Sequence, residues 1–130
     1  MAPHEAKLFR PPYGHQTPAS QLDAARLGYR VVLGELVAED WRDDLFEALV
    51  ARVLRRFRLG SIALFHDVLY TIIDERYRDR APTLRAVEML LEHFAGKVRF
   101  ITVPELLRRG QARKWPLYRR SNLDWLHRLV

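Results

Sequence analysis

Three short clusters hold the residue types that chemistry needs: Arg10-Pro11-Pro12-Tyr13-Gly14, Asp40-Trp41 and His66-Asp67. They stand about one strand–helix unit apart. His66 can act as a general acid or base, because an imidazole exchanges its proton near neutral pH. Asp40 can orient that imidazole, as a carboxylate does in a catalytic triad. Arg10 can hold a second carboxylate in bidentate fashion. Tyr13, in a turn after two prolines, can present a backbone N–H to an oxyanion. Trp41 and Leu64 can wall an apolar slot for a small group. Structural roles compete with each of these. A His–Asp pair at a strand end is often a plain hydrogen bond, Arg10 suits a surface ion pair, and Trp41 suits packing at a helix start. His4, His15, His93 and His127 have no metal-ligand spacing, and His93 falls on the solvent side of an amphipathic run. The absence of cysteine excludes disulfides, thiolate zinc sites and cysteine nucleophiles.

Such clusters need elements to carry them. Thr17-Pro18 opens an amphipathic run with a hydroxyl N-cap and a proline at the first helical position, and Gly28 ends it. Residues 42–58 place Leu45, Phe46, Leu49, Val50, Val53, Leu54 and Phe57 on one side, with Arg52, Arg55, Arg56 and Arg58 on the other. Ala81-Pro82-Thr83 opens a third run, closed by Gly96. Between the runs lie short apolar segments, Tyr29–Leu36, Ser61–Phe65 and Val98–Val103, which read as buried strands. Lys7–Arg10 reads as a further strand, and Pro104–Arg109 as a short last helix. Asp67–Arg80 and the tail from Gly110 read as irregular. Strands that alternate with helices predict an α/β fold with parallel strands and helical crossovers. In such folds functional groups gather past the carboxyl ends of the strands, where all three clusters fall.

Charge is unevenly placed. The 130-residue chain has a net charge of +6, but up to Leu107 its 15 Lys and Arg balance its 15 Asp and Glu. The excess sits in residues 108–130, where seven basic residues face only Asp124. Residues 1–107 therefore read as the folded domain, and 108–130 as a basic, aromatic-containing tail. Trp115, Tyr118 and Trp125 among the tail's cations suit base stacking. The same aromatics with Leu123, Leu126 and Leu129 make a small apolar element for docking, so nucleic-acid binding is not the expected role. With 48% hydrophobic and 29% charged residues, the chain can bury a core. Its longest uncharged apolar run, Leu59–Phe65, is far too short to span a bilayer. The first residues lack the basic-then-apolar block of a signal peptide, and the compartment stays open.

At its three clusters the chain resembles the polysaccharide deacetylase family, the NodB-homology domain. Leu8-Phe9-Arg10-Pro11-Pro12-Tyr13-Gly14 is similar to the family's third motif, Asp40-Trp41 to its fourth, and Gly60-Ser61-Ile62-Ala63-Leu64-Phe65-His66-Asp67 to its fifth. Arg85–Leu91 and Phe100–Leu107 resemble its closing segment. The resemblance implies a partial (β/α) barrel, about the C-terminal half of the domain. It implies hydrolysis of N-acetyl or O-acetyl groups on sugars, assisted by a divalent metal, most often zinc. By the same resemblance His66 protonates the leaving amine, Asp40 is its partner, and Arg10 fixes the base aspartate. The Tyr13 N–H holds the oxyanion, and Trp41 and Leu64 line the acetyl-methyl pocket.

The family's first motif, a Thr-Phe-Asp-Asp-Gly-like run with the base and one metal ligand, does not occur in this sequence. Neither does its second, a His-x-x-x-His-like run with two more ligands. Val37 and Val68 also replace a frequent Asp and Gly of the fourth and fifth motifs. The metal ligands are thus not expected in this chain, and the chain alone is expected to be inactive. The partners implied are an acetylated glycan and a complementing N-terminal half, or a second copy covering the exposed strand edges. The competing reading is a non-catalytic remnant that binds glycan or protein through Tyr13, Trp41 and Leu64.

Overall fold

The prolines, caps and glycines read from the sequence mark the helices of a computed structural model, which describes residues 7–34, 36–42, 45–69, 72 and 74–111. These form two compact units, residues 7–33 and 34–111. In the first unit β1 (Lys7–Phe9) leads through helix α1 (Pro18–Arg26) to β2 (Tyr29–Val31). The two strands pair in parallel with Leu8 opposite Arg30, and Val32 N–H extends the ladder to the Phe9 carbonyl at 2.9 Å. Thr17 and Ser20 form a reciprocal capping box at the start of α1. Gly28 follows its end at φ 77°, a left-handed turn that a side chain would strain.

The second unit repeats the pattern. β3 (Leu36–Val37) leads through α2 (Phe46–Arg56) to β4 (Ala63–Leu64), again parallel, with Val37 opposite Leu64. α3 (Ala81–Phe94) packs on α2, and α4 (Val103–Arg109) ends the described chain. The core joins Leu36 and Ala38 to Val53 of α2 and to Leu90 and Phe94 of α3, with Phe57, Phe65 and Val98 packed against it. The Phe57 and Phe94 rings lie 4.4 Å apart. Each such large apolar side chain removed from water contributes about 1.5–3 kcal/mol.

The expected alternation of parallel strands and helices is present, with two corrections. The run Tyr29–Leu36 is not one strand: it breaks at Val32–Gly34, and its halves pair with different partners. Gly34 has no side chain to pack at the break, and Gly weakens a strand interior. Val98–Val103 is not a strand. Its amide groups start elsewhere: Lys97 and Val98 N–H both bond the Phe94 carbonyl, and Thr102 Oγ1 caps α4 through Glu105 N–H. No strand pairs with this segment among the described residues. The expected basic tail lies outside the described residues from 112 onward; Arg108 and Arg109 belong to α4. Among the described residues no helix is long and apolar enough to cross a membrane.

Candidate functional site

The site of the second unit grows out of the β3–β4 ladder. Leu36 N–H bonds the Ile62 carbonyl (3.2 Å) and Ala38 N–H bonds the Leu64 carbonyl (3.4 Å). A continued parallel ladder would send the next amide, His66 N–H, to the Ala38 carbonyl. It goes instead to Asp40 Oδ2 at 2.8 Å, while Arg52 Nη1 takes the Ala38 carbonyl at 2.6 Å. The switch occurs at Glu39, whose φ of 59° is left-handed. For a non-glycine residue that conformation costs about 1–2 kcal/mol. It turns the chain so that Ala38 and Asp40 are both fully buried. Glu39 is held in place by ion pairs to Arg42 and Arg52.

Asp40 is the centre of this arrangement. Its Oδ1 lies 2.8 Å from His66 Nδ1, and its Oδ2 accepts from His66 N–H. Arg80 Nη1 reaches Oδ2 at 3.3 Å, and Thr83 Oγ1 does so weakly at 3.5 Å. Arg80 Nη2 also bonds the main-chain carbonyls of Asp40 (2.8 Å) and Tyr77 (2.6 Å). Four donors, one of them on the Arg80 guanidinium, satisfy this carboxylate without solvent. Because a carboxylate only accepts, His66 Nδ1 carries the proton in this contact, and Nε2 is the nitrogen left for other chemistry. Trp41 meets the His66 ring edge to face, with centroids 5.4 Å apart, and restrains its rotation. The His66 side chain is one-third exposed, so a molecule from outside can reach it.

Of the residues chosen from the sequence, Asp40, Trp41 and His66 come together here, and Leu64 is half-buried on β4, two residues before His66. Arg10 and Tyr13 belong to the other unit. Arg10 follows β1, is exposed, and donates through Nε to the Val32 carbonyl at 3.4 Å. No carboxylate pairs with it among the described residues, so the surface ion pair considered for it is not formed there. Tyr13 sits in a tight turn closed by Gly14 N–H to the Pro11 carbonyl, with its own φ at 55°. His93 is exposed, as its place on the helix required.

Two arginines escaped the sequence reading. Arg52 was placed on the solvent face of α2, yet it is largely buried against the Ala38 carbonyl. Arg80 closed a stretch read as irregular. A buried strand-end carboxylate demands a cation, but that demand alone does not choose among 22 Lys and Arg.

The family's metal does not fit these residues. A catalytic zinc takes about three protein ligands. Among the described residues no three His, Cys, Asp or Glu gather as a ligand set. Asp40 and His66 Nδ1 are engaged with each other.

Comparison with known proteins agrees with the motifs. The chain is 34% identical over 107 residues to a peptidoglycan-N-acetylglucosamine deacetylase of Bacillus cereus, a match covering 80% of this chain and 46% of that protein. It is 35% identical over 79 residues to a bifunctional xylanase/xylan deacetylase of Cellvibrio japonicus, over 61% of this chain and 12% of the relative. The chain thus spans less than half the length of either. Its fold matches a family 4 carbohydrate esterase from Streptomyces lividans, solved with acetate, at TM-score 0.58 and 28% identity, covering 76% of this chain and 46% of that one. A peptidoglycan deacetylase from Bacillus subtilis shares the fold at TM-score 0.58 and 22% identity, over 95% of this chain and 50% of its own. No protein-family model matches the chain. By sequence and by fold, this chain is related to the polysaccharide deacetylases, part of whose length it matches.

Proposed function

We propose that this chain supplies the acid-bearing half of a carbohydrate deacetylase. The observation that carries this reading is the buried Asp40 carboxylate bonded to both Nδ1 and N–H of a partly exposed His66. In the reaction, the base takes a proton from water as it adds to the acetyl carbonyl, the tetrahedral intermediate collapses, and the bond between the acetyl carbon and the nitrogen breaks, leaving acetate and the amine on the sugar. His66, protonated on both ring nitrogens, gives its Nε2 proton to the leaving amine while Asp40 holds the imidazolium. Within the second unit Trp41 and Leu64 wall the acetyl methyl; the roles the family resemblance gives the first unit's residues are the oxyanion contact for Tyr13 N–H and the base aspartate's orientation for Arg10. In this reading the chain is part of a (β/α) barrel, and the parallel pairs β1–β2 and β3–β4, each joined through a helix, support it.

The base, and the ligands for the divalent ion, come in this reading from an N-terminal half carrying the Asp-Asp and His-x-x-x-His runs, which these 130 residues do not contain. The chain alone is then inactive. Acetate release tests this, with N-acetylglucosamine oligomers and acetylated xylan as substrates. Release only when zinc, this chain and a polypeptide with the two missing runs are mixed supports the reading. Absence of release from a mixture shown to associate removes it and leaves a binding remnant.

A further inference from the structure

We infer that Arg80 is the positioning residue that fixes the tautomer and orientation of His66, acting through Asp40. The inference deepens the deacetylase reading of this site and rests on it for its meaning in the reaction. Arg80 is largely buried, and stands at the N-cap of α3. Its two terminal nitrogens grip three oxygens: the Asp40 carboxylate, the Asp40 carbonyl and the Tyr77 carbonyl. It therefore holds both ends of the residue it neutralises. A carboxylate held only by its charge could swing; one whose backbone is bonded by the same guanidinium cannot. The forked, planar geometry is specific to arginine, since an ammonium is a point charge on a flexible stem.

The consequence falls on the imidazole. Asp40 Oδ1 demands a proton on His66 Nδ1. A neutral imidazole free in water prefers the proton on Nε2. Holding Asp40 in place therefore selects the less favoured tautomer and directs Nε2 away from the carboxylate. Thr83 adds only a weak contact from the same helix turn. No other side-chain cation reaches the Asp40 carboxylate among the described residues.

The test is nitrogen-15 NMR of the His66 ring in the full 130-residue chain, across a pH series carried up until the ring shifts no longer change. The wild type shows Nδ1 protonated and Nε2 bare. In Arg80→Gln the Nδ1–H form falls from the dominant to the minor tautomer, while amide signals of α2 and α3 hold their positions. Arg80→Lys keeps a charge but loses the fork, and shows a mixture. A folded Arg80→Gln chain with the wild-type ring pattern overturns the inference. Where Arg80→Gln does not fold, an unchanged ring pattern in Arg80→Lys overturns it instead. The measurement uses neither substrate nor metal. An Arg80-dependent tautomer with no acetate release from the complemented mixture removes the deacetylase reading alone. Release with an Arg80-independent tautomer removes this inference alone.

Discussion

His66 bonds the Asp40 carboxylate twice, through its ring Nδ1 and through its own backbone N–H, both at 2.8 Å. The second bond replaces a rung of the β3–β4 ladder. A side chain thus does the work of a carbonyl, and the imidazole is located by main chain as well as by its ring. That double attachment separates this pair from a casual strand-end hydrogen bond.

Replacing Asp40 by Asn keeps the shape and removes the charge. Arg80, only 14% exposed, then faces a neutral amide. Breaking one side of a buried ion pair costs about 3–5 kcal/mol. Urea unfolding should show a loss in that range, and a loss within error of zero would mean the charge is not compensated as described.

Arg52→Ala frees the Ala38 carbonyl and loosens Glu39. A hydrogen bond from a charged donor is worth about 1.5–3 kcal/mol. The fall in stability should be of that size. The His66 amide, now offered its regular ladder partner, should change its exchange rate more than the amides of α3. Equal changes across the unit would argue against the switched rung.

Asp74 offers a pH-dependent check on the turn that presents the Tyr77 carbonyl to Arg80. It caps that turn through Arg76 N–H at 2.9 Å. The side-chain hydrogen bond from Arg76 is the main cause that holds its carboxyl below the ordinary aspartate value of 3.8. Its contribution is therefore whole above 3.8 and is lost as the pH falls through the depressed folded value. The Arg76 amide shift should titrate below 3.8 in the wild type and return toward it in a side-chain truncation, Arg76→Ala; a midpoint unchanged by that truncation would contradict the pairing.

Much of the fold was legible in local chemistry. Thr17-Pro18 and Gly28 bound α1, and Ala81-Pro82 opens α3, because caps and prolines act within a few residues. Val98–Val103 misled because an apolar run shows a wish for burial, while a strand also needs a neighbour to bond. The pair Asp40 and His66 could be read from type and position. Arg52 and Arg80 could not, since their shortest bonds are to backbone carbonyls that any residue carries. Glu39 gave no sign either: its left-handed backbone is set by Arg42 and Arg52 from outside.

In the proposed reaction His66 gives a proton to a poor leaving group, so changing that group isolates its role. In the complemented mixture, acetate release from an N-acetyl sugar, whose amine must be protonated to depart, is compared with release from an aryl acetate, whose phenolate needs no acid. His66→Ala should slow the first by about 10²–10⁴-fold and leave the second nearly unchanged. Equal slowing of both, or of neither, would contradict the account.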